Sequence, residues 1–199
     1  MAGERMEWTD DVQSVQRHIT RYVWTLKWCA GKRVLDAGCG IGYGTALIAN
    51  VASEAEGIDI SQEAANMAVH RYPLSNGCIF WHAAIEKFTP YKPFDVVVAL
   101  EVLEHLDDMD AGMEKLLSLA TEAVLVSLPV LAGANQWHHG RHWTVEDCDA
   151  FMARHAAGRL LEPCYQPARD SSNCEVRRRP IEDPDNVGYL QYVVWKGAM

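Results

Sequence analysis

The segment Val34 to Gly44, Val-Leu-Asp-Ala-Gly-Cys-Gly-Ile-Gly-Tyr-Gly, constrains the fold of this chain more than any other stretch. A short apolar run that ends in an acid and breaks into alternating glycines reads as a strand feeding a glycine loop that opens a helix. That geometry lets backbone approach a ligand closely. A second apolar stretch, Ala55 to Ile60, carries Asp59 seventeen residues beyond Gly42, placed to meet a sugar diol at the tip of the neighbouring strand. The pair points to a nucleoside cofactor.

Apolar runs at 33–37, 54–60, 77–83, 94–100 and 122–128 alternate with helical candidates at 43–52, 61–72 and 109–119. Such alternation predicts an α/β fold with a parallel, doubly wound sheet. A leading helix over 9–28 starts at a Thr9 or Asp10 cap and places Val12, Val15, Ile19, Val23 and Leu26 at helical spacing as its apolar stripe. Thr144 to Ala157 reads as a helix with Thr144 as cap and Asp147 in its first turn. The late strand candidates Arg159 to Tyr165 and Gly188 to Trp195 flank a polar, Pro-rich loop over 166–186 and predict an antiparallel hairpin at the sheet edge, seven strands in all. A chain of 199 residues fits one domain, with a leading helix at 9–28, a cofactor-binding core at 30–130, and a substrate-side insert and C-terminal strands at 131–199.

The formal charge of -9 repels polyphosphate, so nucleic acid is a disfavoured partner. No apolar run approaches the roughly 18 to 20 residues that span a bilayer. The N-terminus has no apolar signal segment, and the six cysteines (Cys29, Cys39, Cys78, Cys148, Cys164, Cys174) contain no Cys-x-x-Cys pair. Reduced thiols and a cytoplasmic location are the expectation.

A dinucleotide fingerprint requires Gly-x-Gly-x-x-Gly, and here Tyr43 stands where the third glycine belongs. A pyrophosphate is therefore poorly matched. A ligand without phosphate fits better, its amino-acid end across the glycines and its carboxylate facing the helix that follows Gly42. Asp36 suits a positively charged amino group.

Val34 to Gly44, Gly57-Ile58-Asp59-Ile60-Ser61 and the run Phe94 to His105 together resemble, in order, the motifs of class I S-adenosylmethionine-dependent methyltransferases. The likeness is to the type 11 and type 23 group that includes the ubiquinone-pathway O-methyltransferases. It implies a Rossmann-like fold and S-adenosyl-L-methionine as cofactor. It further implies that Gly38, Gly40 and Gly42 cradle the methionine part, that Asp36 orients it, and that Asp59, with Ile60 beside it, takes the ribose hydroxyls. Ala84 and Ile85, near Glu86, fall where adenine is contacted, and Glu101 lines the cofactor pocket. The alternative is that the loop merely turns the chain and Asp59 merely caps the next helix.

Strand 94–100 runs into Glu101-Val102-Leu103-Glu104-His105, and one helical turn would bring Glu101, Glu104 and His105 to one side. Two carboxylates and an imidazole can bind a divalent metal. The same run occurs in small-RNA 2'-O-methyltransferases of the plant type and in ubiquinone-pathway enzymes, where the resemblance implies magnesium or a related ion and a further histidine from beyond the fifth strand. His142, in the cluster Trp137 to Trp143, supplies that candidate. The metal-free alternative leaves Glu101 on the cofactor and makes His105 a base or a packing residue. An oxygen acceptor must lose a proton, so His105 or His142 is the expected base or metal ligand, with Glu101 as the third catalytic candidate.

The place after strand four holds Leu100-Glu101-Val102-Leu103, not the Asn or Asp, Pro, Pro, aromatic run of enzymes that methylate base amines, and no Pro-Cys nucleophile is present there. Arg177-Arg178-Arg179 is the only dense basic run and reads first as a solvated face. The reading is O-methylation of a small molecule or saccharide. Alternatives are a metal-assisted 2'-O-methyltransferase of RNA ends, a non-catalytic cofactor-binding partner or regulator on the same fold, and a nicotinamide oxidoreductase.

Overall fold

The strands that surround the glycine loop are apolar on both faces because helices cover both faces of a parallel sheet. In the computed structural model, which describes residues 12–74, 77–130, 143–156, 163–167, 175–181 and 186–196, the elements follow the predicted alternation. They are α1 (Val12–Cys29), β1 (Arg33–Ala37), α2 (Tyr43–Ala49), β2 (Glu54–Asp59), α3 (Gln62–Arg71), β3 (Cys78–His82), β4 (Phe94–Leu100), α4 (Met109–Leu119), β5 (Ala120–Pro129), α5 (Val145–Ala156), β6 (Cys164–Pro167), β7 (Arg177–Arg178) and β8 (Val187–Trp195). Short 3-10 turns cover Ile85–Lys87 and Leu103–His105.

The sheet runs β3-β2-β1-β4-β5-β8-β6-β7. Pairings from β3 through β5 are parallel, and β8, β6 and β7 join antiparallel. Chain order reverses direction between β1 and β4, which opens the crevice where such sheets bind ligands. The sheet has eight strands where the pattern predicted seven. The extra strand is the two-residue pairing of Arg177 and Arg178 with Tyr165 and Cys164, inside the stretch expected to be loop. A pairing this short leaves no alternation to read in sequence.

One face of the sheet packs Val97, Ala99, Val124 and Val126 against α4 and α5. The other packs Val34, Val96, Val98 and Leu125 against α1 and α2. Ser61 caps α3 and Asp108 caps α4. Thr144 and Asp147 cap α5 reciprocally, each side chain accepting from the other's backbone N–H. Cys29, Cys39, Cys78, Cys148 and Cys164 are buried free thiols. Among the described residues no helix is long and apolar enough to cross a membrane.

Only part of the stripe predicted for the leading helix faces inward: Leu26 packs against the core, and Val15 and Ile19 are half-buried. Val12 is 80% and Val23 52% exposed, whereas Arg21, Tyr22, Thr25 and Cys29 are buried. Polar groups win the inward face because they meet polar partners there. The Tyr22 hydroxyl donates to the Asp36 carboxylate at 3.1 Å, and Thr45 of α2 donates to the same carboxylate at 2.6 Å. A Cβ on Gly44 would lie 2.0 Å from the Tyr22 ring, so α1 and α2 touch only because this position has no side chain. Gly44→Ala is expected to lower stability by about 1 to 3 kcal/mol through overpacking, read as a lower urea midpoint at unchanged slope.

Burial raises the Asp36 carboxyl to about 7, against the opposing pull of the Thr45 and Tyr22 hydroxyls. An unfolded aspartate titrates near about 4. The folded state therefore holds this proton more tightly, so the group's contribution is complete below about pH 4 and fades as pH rises through 7. Wild-type stability is expected to fall between pH 5 and 7.5 by about 2 to 3 kcal/mol more than that of Asp36→Asn. Parallel curves for the two proteins would show that Asp36 does not titrate in that window.

Candidate functional site

Three strand ends converge beside the switch point. After β1 the loop N–H groups of Gly38 and Cys39 donate to the Ile58 carbonyl at 2.8 and 2.9 Å, which pins the turn to the end of β2. A Cβ on Gly38 would come within 2.5 Å of Val102, so the loop also lies flat against the segment after β4. Gly40 differs: its φ is +54°, and a Cβ there would meet nothing within 4 Å. Its backbone therefore faces open space, as a cradle for a ligand must.

Asp59 at the tip of β2 accepts from Gly40 N–H at 2.8 Å with one oxygen and from Ser61 N–H at 2.7 Å with the other. The acid thus joins the glycine loop to the cap of α3. Ile60, next to it, is 73% exposed, an apolar side chain standing at the mouth of the crevice. Ala83 N–H donates to the Asp59 carbonyl, which brings the segment after β3 alongside. Ala84 leads into the 3-10 turn, but Ile85 is buried in the core and packs with Phe94 and Met113's cluster. Of the two adenine candidates, only Ala84 keeps partial exposure. Asp36 lies beneath the loop, fully buried, with both oxygens engaged by protein hydroxyls. It supports the loop from below.

Glu101 has a φ of +57°, unusual for a side chain of its size, and its N–H donates to Ser127 Oγ at 2.9 Å. Such conformations persist only where surroundings hold them. Its carboxylate meets the Arg21 guanidinium and lies 3.2 Å from His18 Nε2, both from α1. His18 Nδ1 in turn contacts the Tyr43 hydroxyl. Burial and the Arg21 charge hold His18 down to about 3, so it is a neutral imidazole at neutral pH. With Nε2 facing a carboxylate, the tautomer that fits donates from Nε2 and accepts from Tyr43 at Nδ1.

The remaining members of the expected metal site part company. The chain turns as a 3-10 helix over Leu103–His105, burying Leu103 and Glu104 and leaving His105 exposed. Glu101 itself has a left-handed backbone and lies outside this three-residue turn, so no helical register carries Glu101, Glu104 and His105 to one side. Burial raises Glu104 to about 7, opposed in part by Arg21. No group of three or more His, Cys, Asp or Glu is placed to hold a metal among the described residues. The described geometry therefore does not carry the magnesium expectation. His142, with Trp137, lies outside the described residues, and Trp143 packs edge-on against Phe151 at 5.9 Å. Arg179 makes two hydrogen bonds to Asp149, at 2.6 and 3.0 Å, so one member of the basic run is tied down.

Sequence reasoning missed His18 and Arg21. The signal available was the Arg21-Tyr22 pair interrupting the apolar spacing of α1, one turn after His18.

The sequence profile of the methyltransferase-domain family matches residues 13–162. A ubiquinone biosynthesis O-methyltransferase of Aromatoleum aromaticum is 38% identical over 82 residues, 40% of this chain and 35% of that protein. A probable S-adenosylmethionine-dependent methyltransferase of Mycobacterium tuberculosis is 34% identical over 110 residues, 54% of this chain and 39% of that protein. The chain thus matches little more than a third of the length of these relatives. Among solved structures, the methyltransferase domain of bacterial CtHen1 aligns with a TM-score of 0.70 at 19% identity, covering 91% of this chain and 98% of that one. Magnesium protoporphyrin IX methyltransferase of Synechocystis, with bound S-adenosylmethionine, aligns with a TM-score of 0.64 at 19% identity, covering 96% and 86%. At these identities the structures establish the shared fold. The match over residues 13–162, on a sheet whose glycine loop and β2 acid meet at the switch point, shows that this chain belongs to the methyltransferase-domain family and has the fold of the S-adenosylmethionine-dependent enzymes.

Proposed function

We propose that this chain is an S-adenosylmethionine-dependent methyltransferase that methylates an oxygen of a small-molecule acceptor, a saccharide being one candidate. The observation that carries the reading is the hydrogen bond between Gly40 N–H and Asp59, with open space over Gly40 and the exposed Ile60 beside it. Those residues fit a nucleoside whose amino-acid end crosses the glycines: Asp59 accepts from the ribose diol, Ile60 and Ala84 flank the base, and Gly38 to Gly42 offer backbone to the methionine part. The preference for oxygen rests on the relatives named as O-methyltransferases.

When bound, the cofactor supplies a methyl group already made electrophilic by its sulfonium. In-line displacement then depends chiefly on alignment. In this reading Glu101 presents its carboxylate at the end of β4, and α1 holds it there. The reading assigns the acceptor proton to His105, exposed on the turn after β4, or to His142. The RNA-end alternative loses support, because Arg179 spends its fork on Asp149 and the net charge is -9.

Titration calorimetry with S-adenosylhomocysteine and with NAD tests the cofactor. Saturable binding of the first and none of the second is expected, with Asp59→Ala weakening it by about tenfold to a hundredfold through loss of charge-assisted hydrogen bonds. Binding of NAD, or of neither compound, would refute the assignment. With an acceptor in hand, His105→Ala is expected to lower turnover about a hundredfold while S-adenosylhomocysteine binding stays unchanged; turnover near that of the wild type would move the base elsewhere.

A further inference from the structure

Arg21 is 1% exposed, and its guanidinium is shared by three parts of the fold. One terminal nitrogen contacts the Glu101 carboxylate after β4. The other donates to Gln166 Oε1 of β6 at 2.6 Å, and Gln166 Nε2 returns to the Arg17 carbonyl of α1 at 3.2 Å. The guanidinium plane lies 4.0 Å from the centre of the Tyr189 ring of β8. Glu104, buried beside it, is a second acid that feels this charge.

A buried arginine is costly to desolvate, and its worth lies in the geometry it enforces on the groups around it. Here the enforced group is Glu101, whose left-handed backbone would relax without an outside hold. Glu101 stands one residue before Val102, the side chain on which the glycine loop lies. The direction of the Glu101 carboxylate and the seat of the loop are thus set by one short segment.

We infer that Arg21 is a positioning residue for the cofactor site: from the leading helix it aims the Glu101 carboxylate at the crevice, and through Gln166 and Tyr189 it makes that aim depend on the C-terminal strands. The inference rests on the proposed reading of the crevice as an S-adenosylmethionine site. It adds that α1 builds the cofactor side of the pocket, a role that the apolar spacing of the leading helix does not record. Arginine is required, because a lysine carries the charge but cannot engage Glu101, Gln166 and the Tyr189 face at once.

The test is a double-mutant cycle on S-adenosylhomocysteine affinity by calorimetry, with Arg21→Met, Glu101→Gln and the pair, each checked for folding by circular dichroism. Arg21→Met is expected to weaken binding about tenfold when Glu101 is present and less than about twofold in the Glu101→Gln background, because Arg21 acts through that carboxylate. Equal losses in both backgrounds, or no loss in either, would overturn the inference. If Arg21→Met does not fold, Arg21→Lys serves in the same cycle: partial weakening, confined to the Glu101 background, supports the inference, and an equal effect in both backgrounds defeats it. Failure of the wild-type chain to bind S-adenosylhomocysteine removes the proposed function itself, and that result is read before any variant is compared.

Discussion

A carboxylate sealed under a glycine loop is the constraint on which the rest of this structure leans. Asp36 sits at the end of β1, and its two oxygens are held by hydroxyls from two different helices, Thr45 of α2 and Tyr22 of α1. Removed from water, an acid needs such partners or a proton. The partners dictate packing: Thr45 fixes the start of α2 and hence the glycine turn, and Tyr22 requires α1 to lie across that turn with its ring where Gly44 lacks a side chain.

From that contact the orientation of α1 follows, and from α1 the inner wall of the crevice. Once Tyr22 faces Asp36, the positions one turn before it and one residue before it, His18 and Arg21, are committed to the same side. They meet the end of β4, where Glu101 accepts both. The exposed Val12 and Val23 are the consequence. A helix with hydrophobic residues on one stripe ordinarily buries that stripe. Here a polar stripe is buried because its hydrogen bonds and ion pairs are completed by the sheet, and those partners come from residues up to 145 positions away.

The local elements were readable because each carries its own signal. Glycine spacing marked the turn after β1, alternation with the apolar runs marked α3 and α4, the Thr144 cap marked α5, and continuous apolar runs marked strands buried on both faces. The position of Asp59 at the tip of β2 was also readable, because the apolar run 54–60 ends there. The arrangement of Glu101, Glu104 and His105 was not, because Glu101 takes a left-handed backbone that breaks any helical register between it and the turn that follows. That turn sends Glu104 inward and His105 outward. Likewise β7 exists only because Tyr165 and Cys164 offer an edge to two arginines.

By itself, then, the sequence determined the parallel sheet, the switch point and the residues that rim it, since hydrophobic period and glycine spacing act over neighbours and survive any tertiary arrangement. Only the tertiary structure decided which face of α1 turns inward, which acid stays at the crevice and which is sealed away, and that one arginine from the first helix would serve the fourth strand. Those outcomes are set by desolvation and pairing between groups distant in the chain, and no local pattern records them.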